Sequence, residues 1–218
     1  MKKEQLIQET AVFIRQHFEQ EGSGHDWWHI YRVWQMARQI GEKEQVDPFR
    51  VEMAALLHDL DDWKFSESRE SRAKKWLSSI QVADVDLQAI LQIIDEVSFK
   101  GSGVKTRPTS LEGMVVQDAD RLDAIGAIGI ARTFAYGGNK NRLIYDPEVA
   151  PEQHDSFKAY QQSTAPTINH FYEKLLLLKD RMNTETGKRL AEERHQFMEA
   201  FLEQFFREWQ LEEEQSTT

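Results

Sequence analysis

An all-α fold is predicted by three features of the chain. Apolar residues recur at i, i+3 and i+4 along most of its 218 residues, the spacing of helices that bury one face. No segment alternates polar and apolar residues over a strand's length. Helix start signals precede several of the periodic runs. The length fits a single domain over residues 1–218 and suffices for a core without covalent staples.

The elements follow in order. Leu6, Phe13, Ile14 and His17 mark one face of a first helix. Gly22 and Gly24 then break the chain. Ile30, Val33, Trp34, Ala37 and Ile40 form the inward stripe of a second helix. Asp47-Pro48 is a start signal that places proline in a first turn, and it opens a short apolar helix from Val51 to His58. Residues Ser66 to Leu77 read as helical. Leu87, Ile90, Leu91, Ile94 and Val97 recur at helical spacing, and Lys100 to Pro108 reads as a loop. Leu111 to Ala135 is one bent helix or two. Tyr136 to Gln153 is irregular, with GGN, DPE and AP words, and loops of this length are often functional. A C-terminal helical pair, about residues 166–212, closes the chain. Its second member carries Leu190, Arg194, Phe197, Met198, Phe201, Leu202, Phe205, Phe206 and Trp209 on one broad stripe.

Composition narrows the function. The formal net charge is -10, a sign that repels a phosphate backbone and disfavours broad nucleic-acid binding. A small anionic ligand stays compatible, because local cations and a bound metal can invert the potential in one pocket. The absence of cysteine excludes disulfides and thiolate metal sites. The N-terminal stretch has no signal-peptide core, and no segment approaches the ~20 apolar residues of a membrane span. A cytoplasmic protein with no membrane association is expected. The wide apolar C-terminal face suits a core or a homodimer interface equally.

Three words carry chemistry. HDWWH (His25 to His29) sets two histidines at i, i+4, so both can share a helix face. Asp26 after the glycines can cap that helix, and at least one of Trp27 and Trp28 belongs to the core. LLHDLDD (Leu56 to Asp62) holds His58-Asp59. Helix neighbours point ~100° apart, yet near a helix end they can converge on one ion. QDADRLDAIG (Gln117 to Gly126) holds Asp118, Asp120 and Asp123. Carboxylates amid Val115, Val116, Ala119 and Leu122 are hard to bury without a cation or a salt bridge; Arg121 and Arg132 are the candidate ion-pair partners. Imidazole plus carboxylate is the donor set of manganese, iron or zinc, which turn water into a nucleophile at neutral pH.

Taken together, HDWWHIYRV, AALLHDLDD and QDADRLDAIGAIGIARTF resemble the HD-domain superfamily of metal-dependent phosphohydrolases. The similarity extends to TINHFYEKLLLLKDRMNTETGKRLAEERHQFM. It is strongest to a small bacterial branch whose characterised members are nucleotide pyrophosphohydrolases. The resemblance implies an HD-type helical bundle that hydrolyses a nucleoside triphosphate to monophosphate and pyrophosphate by attack of a metal-bound water. It implies His29, His58, Asp59 and Asp120 as metal ligands, with Asp123 and Asp118 as alternatives to Asp120. Asp62 would orient or activate water, with Asp61 as its alternative. His25 and Asp26 would lie beside the site. Arg32, Lys64, Arg107, Arg121 and Lys174 are the candidate substrate contacts, and His170 and Tyr172 candidate pocket lining. The helix after the HD word, QIIDEVSFKG, lacks the histidines of two-metal relatives, with Asp95 and Glu96 as the only acids that could take their place. One divalent ion is therefore expected, manganese preferred, with cobalt, nickel, iron, zinc or magnesium as alternatives. Other nucleotide substrates, among them a nucleoside monophosphate, (p)ppGpp or a cyclic nucleotide, fit the same motif, as does a non-catalytic protein that keeps the metal as a clamp.

Overall fold

A computed structural model describes residues 2–19, 26–61, 71–97, 107–152 and 164–210. The helices are α1 (Lys3–Phe18), α2 (Trp27–Glu44), α3 (Pro48–Leu57), α4 (Arg72–Ser79), α5 (Asp84–Val97), α6 (Leu111–Asp123), α7 (Gly126–Asn139), α8 (Asn169–Glu173) and α9 (Glu185–Trp209), with two 3-10 turns at Leu175–Leu177 and Lys179–Arg181. No strand occurs among the described residues, so the fold is all-α.

The shortest of the strongly apolar helices occupies the middle. In α3, Met53, Ala54, Ala55, Leu56 and Leu57 are all fully buried. Helices α1, α2, α5 and α6 surround it, which leaves α3 exposed to solvent only near Pro48, Arg50 and Glu52 and accounts for the apolar run that follows. Asp47 caps it, accepting bonds from Phe49 N and Arg50 N, with Pro48 in the first turn. Asp26, Ser71, Ser110 and Thr184 cap α2, α4, α6 and α9 in the same way. The predicted α2 stripe Ile30, Val33, Trp34, Ala37 and Ile40 is buried. Helix α2 packs most extensively on α6 and α3, and this three-helix contact is where the site forms.

Several expectations need correction. His17 is exposed; the buried stripe of α1 is Leu6, Ile7, Thr10, Ala11, Ile14 and Phe18, while Phe13 stacks on Trp76. The described part of the 66–77 helix starts at Arg72. Of the two readings of residues 111–135, the two-helix one holds: the break falls at Gly126, which adopts φ +74°. At that φ a Cβ is strained, and one here would also press on the Arg194 side chain at 3.0 Å. Helix α7 runs on to Asn139, so the irregular stretch begins after Tyr136 rather than at it. The first member of the expected C-terminal pair is only the five-residue α8 followed by two 3-10 turns. Its place against α9 is kept by Phe171 stacking on Phe201, and the stretch after α7 meets the same helix through Tyr145, which contacts Phe205, Phe206 and Trp209.

Candidate metal centre

His29 lies in the first turn of α2, held there by the Asp26 cap, whose carboxylate accepts from His29 N at 2.8 Å. His58 is the C-terminal cap of α3, and Asp59 follows it in a turn. Asp120 is in the last turns of α6. His29, His58 and Asp120 each bring a ligand atom within 4.8 Å of the others. His29 Nε2 is 3.4 Å from Asp59 Oδ2 and 3.6 Å from Asp120 Oδ1. His58 Nε2 is 3.4 Å from Asp59 Oδ1 and 3.9 Å from Asp120 Oδ1. Donors around one ion with bonds of ~2.1 Å stand ~3.0–4.2 Å apart, and these separations fall inside that range. The imidazoles are almost wholly buried, whereas the Asp120 side chain is 36% exposed. The cluster therefore opens to solvent past Asp120.

The imidazoles are set in the tautomer a metal needs. His58 Nδ1 lies 2.8 Å from the Ala55 carbonyl. A carbonyl only accepts, so Nδ1 donates and the Nε2 lone pair faces the cluster. That Nε2 is buried without a hydrogen-bond partner among the described residues, a costly arrangement unless a cation takes it up. His29 Nδ1 lies 2.7 Å from Asp123 Oδ2, which turns its Nε2 toward Asp59 and Asp120. The residues present fit a divalent ion.

Without an ion, the carboxylates around His29 favour a second proton on its imidazole, at Nε2. Burial lowers its pKa, but hydrogen bonds to Asp123 and Asp59 and the Asp59 charge outweigh burial and raise it to about 9. Because the folded value is raised, this proton's contribution to stability is complete below the unfolded pKa of ~6.5 and is lost as pH rises through about 9. An ion that takes Nε2 must expel the proton. Mn2+ affinity should thus rise with pH, up to about tenfold per unit, until about pH 9. Calorimetry in two buffers of different ionisation enthalpy should count about one proton released per ion at pH 7; none released would contradict this.

Asp123 is the most heavily bonded carboxylate at the site. Besides His29 it takes Arg32 Nε at 2.6 Å and Arg32 Nη2 at 3.0 Å, and Arg132 Nη1 at 2.6 Å. Burial raises its pKa, but the bonds to His29 and Arg32 and the Arg132 charge hold the carboxyl well below the usual range. Asp118 faces away, into the start of α9. It accepts from Asn183 N and Nδ2 at 2.8 and 2.9 Å, and from Thr184 N and Oγ1 at 2.8 Å. Neither acid joins the cluster of His29, His58 and Asp120. The expected pairing of Asp123 with Arg132 is present, whereas Asp118 uses peptide and hydroxyl donors instead of an arginine.

Other predicted residues fall in varied places. Asp61 accepts from Ser71 Oγ, from Arg72 N at 2.6 Å and from Ala73 N at 3.3 Å, so its carboxylate caps α4 instead of facing the cluster as an alternative to Asp62. Arg32 is forked onto Asp123. Arg121 donates to the Arg181 carbonyl. Arg107 is exposed and Lys174 half-buried. Trp27 is buried and Trp28 is 58% exposed. Burial, then Lys174 and Arg142, push the pKa of His170 down to about 3, so it is a neutral imidazole at neutral pH. Asp95 is exposed, and Glu96 binds Thr109 N and Oγ1; neither extends the cluster. His25, Asp62 and Lys64 lie outside the described residues. Sequence reasoning missed how Asp123 works with Arg32. The signal was a matched i, i+3 spacing, since His29 and Arg32 on α2 meet Asp120 and Asp123 on α6.

The HD domain model matches residues 27–125, the span from α2 through Asp120. Bacillus subtilis YpgQ is 41% identical over 208 residues, covering 94% of each chain. The chain belongs to the HD domain family. An HD-superfamily hydrolase from Bacillus thuringiensis superposes with a TM-score of 0.78 at 45% identity, covering 97% of this chain and 100% of the other. The crystal structure of YpgQ in complex with ADP superposes with a TM-score of 0.78 at 37% identity, over 95% and 97% of the two chains. This HD protein is thus a hydrolase of a metal-dependent phosphohydrolase family.

Proposed function

We propose that the chain hydrolyses a nucleoside triphosphate to the monophosphate and pyrophosphate, with one divalent ion, manganese preferred, held by His29, His58, Asp59 and Asp120. The observation that supports the reading is the convergence of two buried imidazoles and the Asp120 carboxylate on one point, with Asp59 placing one oxygen 3.4 Å from each imidazole Nε2. The nucleotide is supported by YpgQ, whose structure contains ADP. When bound, the ion supplies an acidified water and neutralises phosphate oxygens. Everything else is the protein's work. The half-exposed side of Asp120 is the approach for the triphosphate. Asp62 orients the water that attacks phosphorus, and pyrophosphate leaves. Arg32, Lys64, Arg107, Arg121 and Lys174 are the phosphate contacts proposed; of these Arg32 keeps a third of its side chain exposed while it holds Asp123. His25 and Asp26 border the entrance.

A panel of nucleoside mono-, di- and triphosphates with added Mn2+, assayed for both pyrophosphate and orthophosphate, tests this. Pyrophosphate from triphosphates alone is the expected result. Orthophosphate from monophosphates would make the protein a nucleotidase, and no turnover of any nucleotide would overturn the reading.

A further inference from the structure

His29 is the ligand whose orientation depends on another side chain rather than on the backbone. The Nδ1 of His58 is fixed by the Ala55 carbonyl of its own helix end. The Nδ1 of His29 is fixed by Asp123, from a different helix and 94 residues away in sequence. A carboxylate so placed has two alternatives. It can accept the Nδ1–H of the imidazole and raise the basicity of Nε2, or it can rotate and bind the ion itself. What decides between them is the company of Asp123. Arg32 grips both of its oxygens from the α2 side, and Arg132 grips Oδ2 from α7 and also reaches the Asp123 carbonyl at 3.3 Å. Asp123 is 5% exposed as a side chain, so water does not compete for these bonds. Four short bonds from three groups leave the carboxylate no rotational freedom.

We propose, on the reading that the cluster binds a divalent ion, that Asp123 is a positioning residue for His29 and that Arg32 and Arg132 are its anchors. Arg32 and Arg132 hold the carboxylate against Nδ1 and out of the ion's coordination sphere. The open positions of the ion then stay available to water and phosphate. The charge balance fits the role. Against the guanidinium of Arg32 and that of Arg132, one carboxylate leaves the clamp positive, which suits a wall next to a triphosphate. Outer partners of metal-bound histidines contribute ~10–100-fold in metal affinity.

The test is a titration of metal-free protein with Mn2+, following the free-ion EPR signal, for wild type, Asp123→Ala, Asp123→Asn and Arg132→Met, with thermal melting of each metal-free variant. Asp123→Ala should weaken binding by ~10–100-fold. Asp123→Asn, which keeps a neutral acceptor for Nδ1–H, should lose less. Arg132→Met keeps Asp123 and should change the spectrum of bound Mn2+ as the freed carboxylate approaches the ion. A purely structural role would lower the melting temperature while the dissociation constants of folded protein stay within twofold of wild type, and that result overturns the proposal. If Asp123→Ala fails to fold, Asp123→Asn and Arg132→Met decide it by the same readouts. Wild-type protein that binds no Mn2+ would overturn the metal reading and this proposal together, whereas strong wild-type binding with unchanged variants would sink the positioning role alone.

Discussion

Replacing His58 by alanine should abolish Mn2+ retention and reduce nucleotide hydrolysis at least a thousandfold, which is ~4 kcal/mol of transition-state stabilisation. The size follows from the site. Two imidazoles and two carboxylates suffice for one ion, and losing one imidazole removes a nitrogen donor that is buried and aimed by the backbone. A water can fill the space, but it brings no comparable basicity and no fixed direction. The fold should survive, because His58 caps the end of α3 rather than lying within its buried stripe, Phe49 to Leu57. Circular dichroism of the variant should match wild type, while metal analysis after gel filtration should find no bound ion. A folded variant with retained metal and more than a tenth of wild-type turnover would remove His58 from the ligand set.

Asp118→Ala should be the most destabilising single change on α6, by ~3–4 kcal/mol. Asp118 is fully buried and accepts from two backbone amides, one hydroxyl and one side-chain amide at the start of α9. Removing it strands those donors, each of which costs ~1–3 kcal/mol when buried and unsatisfied, with partial relief from water. Gly187 adds to the effect. It lets α9 approach so closely that a Cβ there would overlap the Asp118 carboxylate, so the two elements are fitted around this bond set. For a domain of this size the melting temperature should fall by ~10 °C, and urea denaturation should show the same loss. A loss under ~1 kcal/mol would mean that the α9 N-terminus finds other acceptors.

The helices were legible where local signals agree with packing. In α2 the stripe, the Asp26 cap and the burial all follow one period. The break at Gly126 was harder to see, because Ile125 and Ile130 carry the apolar pattern past it while only a single glycine marks the turn. The LLLL run reads as helix by apolarity. It folds as 3-10 turns, in which i and i+3 side chains eclipse, and Leu175 and Leu178 are the two that bury. The core of the site was legible because few residue types can ligate a metal. The duties of Asp118 and Asp123 were not, since they depend on partners in α2, α7 and the α9 cap that sequence adjacency does not reveal.

The candidate ligands come from α2, the end of α3 and α6, the three helices with the most extensive mutual packing. An ion shared by all three acts as a cross-link between distant parts of the chain, one that only the folded form can tie. Its affinity is then also folding free energy: at a free concentration a hundred times its dissociation constant it adds ~2.7 kcal/mol to the stability of the bundle. The folded fraction of this protein would therefore track the supply of metal as well as temperature, and a cell starved of the ion would lose the enzyme by turnover of the unfolded chain as well as by loss of activity.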